Sequence, residues 1–375
     1  MKLRLINFVS IILTVFFICG CFYESKAEVK PEESLAAELD PVENILQSMT
    51  LEEKIGQMIM IGIYGTDIND DINFMLNEYH FGGIVFFDRN MDSKAQVKNF
   101  SEKLQDISLN SGKKIPLFIA VDEEGGRVAR MKHDLTPPPS QEEIGMSGDY
   151  NWAKSSAVTV ANELRNIGIN VNFAPVADVG GNDTRSFSNN AGIVAEFIEN
   201  AAEGYEEENF FYCLKHFPGI GRGKIDTHKD ISEVDVEKKI LYEEDILPFK
   251  QIISGHDNSK FMVMVGHLKY LALDSDNAAS LSREIITEIL RNELNFQGVV
   301  ITDDLNMGAI ANYSDIETVC LQTIKAGTDI ALICHEPELQ QRAYNAILNA
   351  VKLGEISEER INQSVTRILK MKMNL

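Results

Sequence analysis

Pro116-Leu117-Phe118-Ile119-Ala120-Val121-Asp122-Glu123-Glu124-Gly125-Gly126-Arg127 joins an unbroken apolar run to an abrupt cluster of charge. A short run with no polar position has no solvated face, so it reads as a strand covered on both sides. The same pattern recurs. Apolar runs at 58–63, 83–87, 116–121, 171–179, 211–216, 261–267, 299–302 and 329–334 make eight in all. Helix-like stretches at 152–167, 191–206, 283–294 and 316–326 lie between several of them, and two more at 336–353 and 357–373 close the chain. Eight buried strands alternating with helices predict a (β/α)8 barrel of TIM type. An open doubly wound sheet is the alternative, and it usually needs fewer strands. Residues 51–58 read as an early helix capped by Thr50, with Glu53 completing a capping box.

The 375 residues suffice for one large barrel or for two medium domains. No repeat of 20–50 residues and no low-complexity tract stands out. The formal net charge of -22 would repel phosphates, which argues against a nucleic-acid partner. The N-terminus differs in kind. Lys2 and Arg4 precede an apolar run at 8–19 that is short for a membrane span and suits a secretory signal. It ends Ile18-Cys19-Gly20-Cys21, which resembles a bacterial lipobox. The expected organisation is a lipoprotein signal at 1–20, a flexible tether at 21–40 beginning with lipidated Cys21, and the barrel at 41–375. An ordinary signal peptide or an uncleaved anchor is the alternative. On this reading the protein is exported and lipid-anchored to the membrane of the bacterial cell envelope, and a monomer is expected. Of five cysteines, Cys213, Cys320 and Cys334 remain after processing. They form no disulfide framework and no metal-ligand spacing, and read as small core residues.

Active sites of such barrels sit at the carboxyl ends of the strands. Polar groups collect there: Asp122 to Arg130 after the third run, Arg185-Ser186-Phe187 after the fourth, Lys215-His216-Phe217-Pro218-Gly219 leading to Asp226-Thr227-His228 after the fifth, His267 after the sixth, and Thr302-Asp303-Asp304-Leu305-Asn306-Met307 after the seventh. Each has a plain structural reading. Asp303 or Asp304 can cap a helix, Gly125-Gly126 can be a tight turn, Lys215 can be an ion-pair partner, and His267 can be a satisfied core histidine. Their joint placement favours a site. Asp226-Thr227-His228 lacks the further His or Cys spacing that a metal centre needs.

Together these stretches resemble glycoside hydrolase family 3, and within it the β-N-acetylglucosaminidase branch. The match runs in order from about Leu51 to the C-terminus. Lys-His-Phe-Pro-Gly followed by Asp-x-His is its most specific part. The resemblance implies that Asp303 is the nucleophile of a retaining hydrolase, a choice over Asp304 that the pattern alone does not make. It implies His228 as general acid/base with Asp226 orienting it. It implies Asp122, Arg130, Arg185, Lys215 and His216 as residues holding the sugar. The expected substrate is a glycan with terminal β-linked N-acetylglucosamine, from peptidoglycan fragments or elsewhere, with no metal and no organic cofactor.

The chemistry suits these roles. Retaining glycosidases usually pair two carboxylates, and an imidazole titrating near neutrality can replace the second. Many family 3 β-glucosidases draw their acid/base from a second domain, for which this length leaves no room beside a full barrel, so a barrel loop is expected to supply it. Lys215 and His216 are adjacent, and a regular strand would point them oppositely; both reach the sugar only if the strand ends there. Ile220 stands where the family usually has His, Glu123 replaces Gln, Met264-Val265-Gly266-His267 replaces Met-Thr-Ala-His, and the segment before Arg185 is short. Two other functions compete: a phosphorylase on the same scaffold, since a neutral imidazole does not repel phosphate, and a non-catalytic sugar-binding lipoprotein.

Overall fold

The structure is a computed structural model and describes residues 40–181, 184–223, 232–311 and 314–375. The expectations for residues 1–39, Cys21 among them, lie outside the described residues. Eight parallel strands form one sheet: β1 (Ile59–Gly62), β2 (Gly83–Phe86), β3 (Phe118–Val121), β4 (Val171–Asn172), β5 (Phe211–Phe217), β6 (Phe261–Val265), β7 (Val299–Thr302) and β8 (Ala331–Ile333). Neighbours in sequence are neighbours in space. β8 pairs back onto β1 through Ile59–Ala331, Met60–Leu332 and Ile61–Ile333. The remaining seam, between β7 and β8, is closed by a parallel bridge from Ile301 to Ile330 and by the amide of Leu332 donating to the Thr302 hydroxyl at 3.0 Å. Closure decides for the (β/α)8 barrel over the open sheet.

The strands form where the apolar runs predicted them, because residues such as Ile84, Phe118, Val263 and Val300 are wholly removed from solvent. The exception is the run at 171–179, of which only Val171–Asn172 pairs as regular strand. Pro175 has no N–H to give the ladder, so pairing stops there. It resumes only as a bridge between Val176 and Lys215.

Helices wrap the sheet. Leu51–Gln57 begins at the expected capping box, with Thr50 Oγ1 accepting from the Glu53 amide at 3.2 Å and Glu53 Oε2 from the Thr50 amide at 2.8 Å. The helix Tyr150–Asn166 buries Ala153, Ala157, Val160, Ala161 and Leu164, one stripe at helical spacing. The stretch expected as an α-helix near 283–294 is wound more widely. Glu284–Glu293 is π-helical, with the Leu294 amide bonded to the Ile289 carbonyl at 2.9 Å. Ile285, Ile286, Ile289 and Leu290 form its buried face. Cys213, Cys320 and Cys334 are free and buried, as core residues should be. No helix among the described residues is long and apolar enough to cross a membrane.

Candidate active site

A cavity of about 870 Å³ opens at the carboxyl ends of the barrel strands. Asp122, Arg130, Arg185, Lys215, His216 and Asp303, six of the residues singled out from sequence, all line it. Asp226 and His228 lie outside the described residues. Gly221 and Gly223, which precede them in the chain, are in the cavity wall.

The third strand delivers the acidic end. After Val121 the chain makes a hairpin-like turn in which the Glu124 amide donates to the Val128 carbonyl at 3.0 Å. Gly125 sits at φ 101°, and a Cβ there would lie 2.1 Å from the Pro139 carbonyl oxygen. Only glycine serves at such a position. The turn holds Asp122 and Glu124 toward the fifth strand, where Lys215 Nζ lies 2.6 Å from Asp122 Oδ1 and 2.6 Å from Glu124 Oε1. Arg185 adds a two-pronged contact to Glu124, with Nε and Nη2 each 2.8 Å from a carboxylate oxygen. Burial would push the Glu124 carboxyl up, but Lys215 and Arg185 outweigh it and hold the group down at about 2. Burial likewise favours neutral Lys215, yet Asp122 and Glu124 raise its pKa above the ordinary value. Glu124 is thus a fixed anion that keeps two cations against the cavity.

Lys215 and His216 both face this cavity although they are consecutive. The strand is ending there, as expected: β5 stops one residue later, at Phe217, and its register against β6 shifts between Lys215 and Phe217. An irregular ladder breaks the alternation of side chains that a regular strand imposes. His216 is then tied down by Asp178, whose Oδ2 accepts from Nδ1 at 2.8 Å and whose Oδ1 accepts from the His216 amide at 3.1 Å. Arg130 reaches Asp88 at 3.1 Å and Asp122 at 3.8 Å, so it closes the acidic side of the cavity.

The two aspartates after β7 separate clearly. Asp304 Oδ1 accepts from the amides of Asn306 and Cys334, both at 3.0 Å, which makes it the turn-forming carboxylate. Burial pushes its pKa up. Asp303 receives one amide, that of Asp304 at 2.8 Å. Burial opposes its charge too, but His216, His267, that amide and Lys215 together hold its pKa below the ordinary carboxylate value. Asp303 is the one suited to attack as an anion. His267 donates from Nε2 to the Asp304 carbonyl at 3.0 Å and accepts from Ser280 at 2.8 Å, a satisfied core histidine.

Sequence reasoning passed over Glu124 and Asp178 as site residues. Both carried a signal. Asp178 interrupts an apolar run, and a buried carboxylate requires a partner; Glu124 sits in the quoted acidic cluster, but its partners lie 61 and 91 positions further on at Arg185 and Lys215. Among the described residues, no group of three or more His, Cys, Asp or Glu is placed to hold a metal ion.

Known proteins share this framework. Residues 50–371 match the model of the glycosyl hydrolase family 3 N terminal domain. The chain is 32% identical over 338 residues to beta-hexosaminidase A of Pseudoalteromonas piscicida, covering 83% of this chain and 56% of that protein. It is 31% identical to a beta-hexosaminidase of Nitrosomonas eutropha, covering 82% of this chain and 90% of that one. Among solved structures, a family 3 beta-N-acetylglucosaminidase from Paenibacillus sp. str. FPU-7 superposes with a TM-score of 0.84 at 36% identity, over 87% of this chain and 62% of that one. The protein therefore spans little more than half the length of some relatives and nearly all of others, and on its matched residues it belongs to glycosyl hydrolase family 3.

Proposed function

We propose that the barrel is a retaining β-N-acetylglucosaminidase that releases terminal β-linked N-acetylglucosamine, with peptidoglycan fragments as the natural source. The observation that carries this reading is Asp303: a carboxylate held ionised in a cavity whose other walls present Asp122, Arg130, Arg185, Lys215 and His216. The names of the related proteins support the choice of sugar. Asp303 attacks the anomeric carbon as the glycosidic bond breaks. His228, oriented by Asp226, protonates the departing oxygen and later takes a proton from the water that releases the sugar. Lys215 and Arg185, already charged and positioned, need no rearrangement to bind hydroxyl and acetamido oxygens.

Turnover of a nitrophenyl β-N-acetylglucosaminide against the matching β-glucoside tests the substrate class. At least a 100-fold preference for the former is expected, and equal rates would overturn it. Product analysis with and without inorganic phosphate tests the nucleophile in the second step. Free sugar in both cases is expected; a sugar phosphate would make the protein a phosphorylase. In the same reading, Cys21 is the lipid-bearing first residue of the exported protein. Metabolic labelling with a fatty acid should mark the wild type and not Cys21→Ala, and equal labelling would sink the assignment.

A further inference from the structure

The cavity has two unlike sides. On one, charge comes from Asp122 beyond β3, Arg185 after β4, and Lys215 and His216 in β5. The other is formed by Phe87, which follows β2, and by Leu332, Cys334 and His335 on and after β8. Aromatic rings continue this second side outward. The Phe87 and His335 rings have centroids 5.7 Å apart. The Arg89 guanidinium lies over the Phe87 ring at 4.4 Å and over the ring of Tyr64, beyond the end of β1, at 4.6 Å. Tyr64 is 48% exposed.

The rings are held by buried polar groups. Arg89 Nε donates to the Ile63 carbonyl at 2.9 Å and Nη2 to the Cys334 carbonyl at 2.8 Å, so the cation is pinned between the ends of β1 and β8. Gly62 leaves it room, because a Cβ there would lie 2.9 Å from Nη2 and 2.1 Å from the Cys334 carbonyl oxygen. Asn90, wholly buried, accepts from the Phe87 amide at 3.0 Å and donates to the Ile63 and Gly65 carbonyls, on either side of Tyr64, at 3.1 and 2.9 Å. The His335 amide donates to Asn306 Oδ1 at 3.1 Å. A single exposed tyrosine needs no explanation. Here one asparagine and one guanidinium tie an exposed ring to two rings of the cavity wall. Aromatic surface fixed in this way gives up little freedom when a ligand packs on it.

We propose that Phe87, His335 and Tyr64 form a binding track for the leaving group, and that its occupant is a carbohydrate chain of two or more rings. The inference rests on the reading of the cavity as an N-acetylglucosaminidase site. Carbons 1 and 4 of a pyranose lie across the ring from each other. With the outer hydroxyls of the terminal sugar at Arg185, Lys215 and His216, its anomeric carbon faces Asp303 beyond β7. The glycosidic oxygen then points over the ends of β8, β1 and β2, where the aromatic side begins. Sugar rings carry patches of C–H that pack on aromatic faces, while their hydroxyls stay at the edges. The first ring of the leaving group lies against Phe87 and His335, and the next lies against Tyr64.

Three substrates read the track: methyl β-N-acetylglucosaminide, whose leaving group has no ring, and the β-1,4-linked di- and trisaccharides of N-acetylglucosamine. Phe87→Ala should lower kcat/KM for both oligosaccharides, relative to the methyl glycoside, by about 3- to 10-fold. Tyr64→Ala should lower the trisaccharide relative to the disaccharide by a similar factor and leave the ratio of disaccharide to methyl glycoside as in the wild type. Tyr64→Phe, which keeps the ring, should restore the trisaccharide. Tyr64 is half in water, so its replacement does not open the core, and His335→Ala stands in should Phe87→Ala fail to fold. Losses equal on all three substrates, or wild-type ratios in Tyr64→Ala and in the Phe87 or His335 variant, would overturn the track alone. A wild type that turns over none of the three would overturn the reading of the cavity, and the track with it.

Discussion

Asp178 Oδ2 stands 2.8 Å from His216 Nδ1, while its other oxygen takes the amides of His216 and Ile220 at 3.1 and 2.8 Å. One buried carboxylate thereby fixes a ring in the cavity and the backbone leaving β5. Asp178→Asn can still accept from both amides through its remaining oxygen, but its NH2 faces a ring nitrogen that must then accept. The His216 tautomer inverts, which turns a protonated Nε2 toward the Arg185 guanidinium 3.4 Å away and disturbs the ring in the cavity while the barrel core is untouched. With a chromogenic N-acetylglucosaminide, kcat/KM should fall by about 10- to 100-fold, ~1.4–2.7 kcal/mol of transition-state binding. The melting temperature should move by less than about 3 °C. A large drop in melting temperature with unchanged kinetics per folded molecule would contradict this account.

Asp303 and Asp304 make a sharper pair. A fluorinated N-acetylglucosaminide that releases slowly should leave its sugar on Asp303, read by peptide mass mapping. Asp303→Asn should lose activity by several orders of magnitude. Asp304→Asn, whose side-chain oxygen can still accept from the Asn306 and Cys334 amides, should lose far less. An adduct on Asp304 would reverse the assignment.

His256 gives a pH dependence remote from chemistry. Its ring lies 2.9 Å from Glu206 and 3.0 Å from Glu199. The hydrogen bond to Glu206, with further help from Glu199, raises its pKa to about 9 against the opposing effect of burial. A raised folded pKa contributes stability that is complete below the unfolded value near 6.5 and disappears as pH climbs through about 9. Between pH 6.5 and 9.5 the wild type should lose on the order of 2 kcal/mol more unfolding free energy than His256→Gln. Parallel pH profiles for the two proteins would refute it.

Asp329, at the amino-terminal side of β8, is wholly buried and pairs with Arg291, while Arg367 Nη1 lies 3.2 Å and Ser364 Oγ 2.6 Å from its other oxygen. Burial opposes its charge, but Arg291, Arg367 and Arg360 hold its pKa down. Breaking a buried pair on one side strands the other charge, so Asp329→Asn should cost ~3–5 kcal/mol in denaturant unfolding. Activity per folded molecule should be retained, because the cavity is at the other end of the strands. Wild-type stability in the variant would mean that the arginines are satisfied without it.

Local sequence determined the elements of this protein. Buried strands need no polar positions and helices need one apolar stripe, so the runs around Ile84, Phe118, Val263 and Val300, the capping box at Thr50 and Glu53, and the polar loops after each strand were legible one segment at a time. Tertiary structure alone decided the rest. Lys215 meets Asp122 across 93 positions of chain, and Asp178 meets His216 across 38. Such pairings depend on which strand ends a closed barrel sets side by side, and no local period encodes that. The break in register that brings Lys215 and His216 to one cavity, and the two amides that commit Asp304 to a turn while leaving Asp303 free of that duty, likewise arise from contacts between segments. Charge, desolvation and hydrogen bonding act through space, so the chemical character of each carboxylate was settled only when the barrel closed around it.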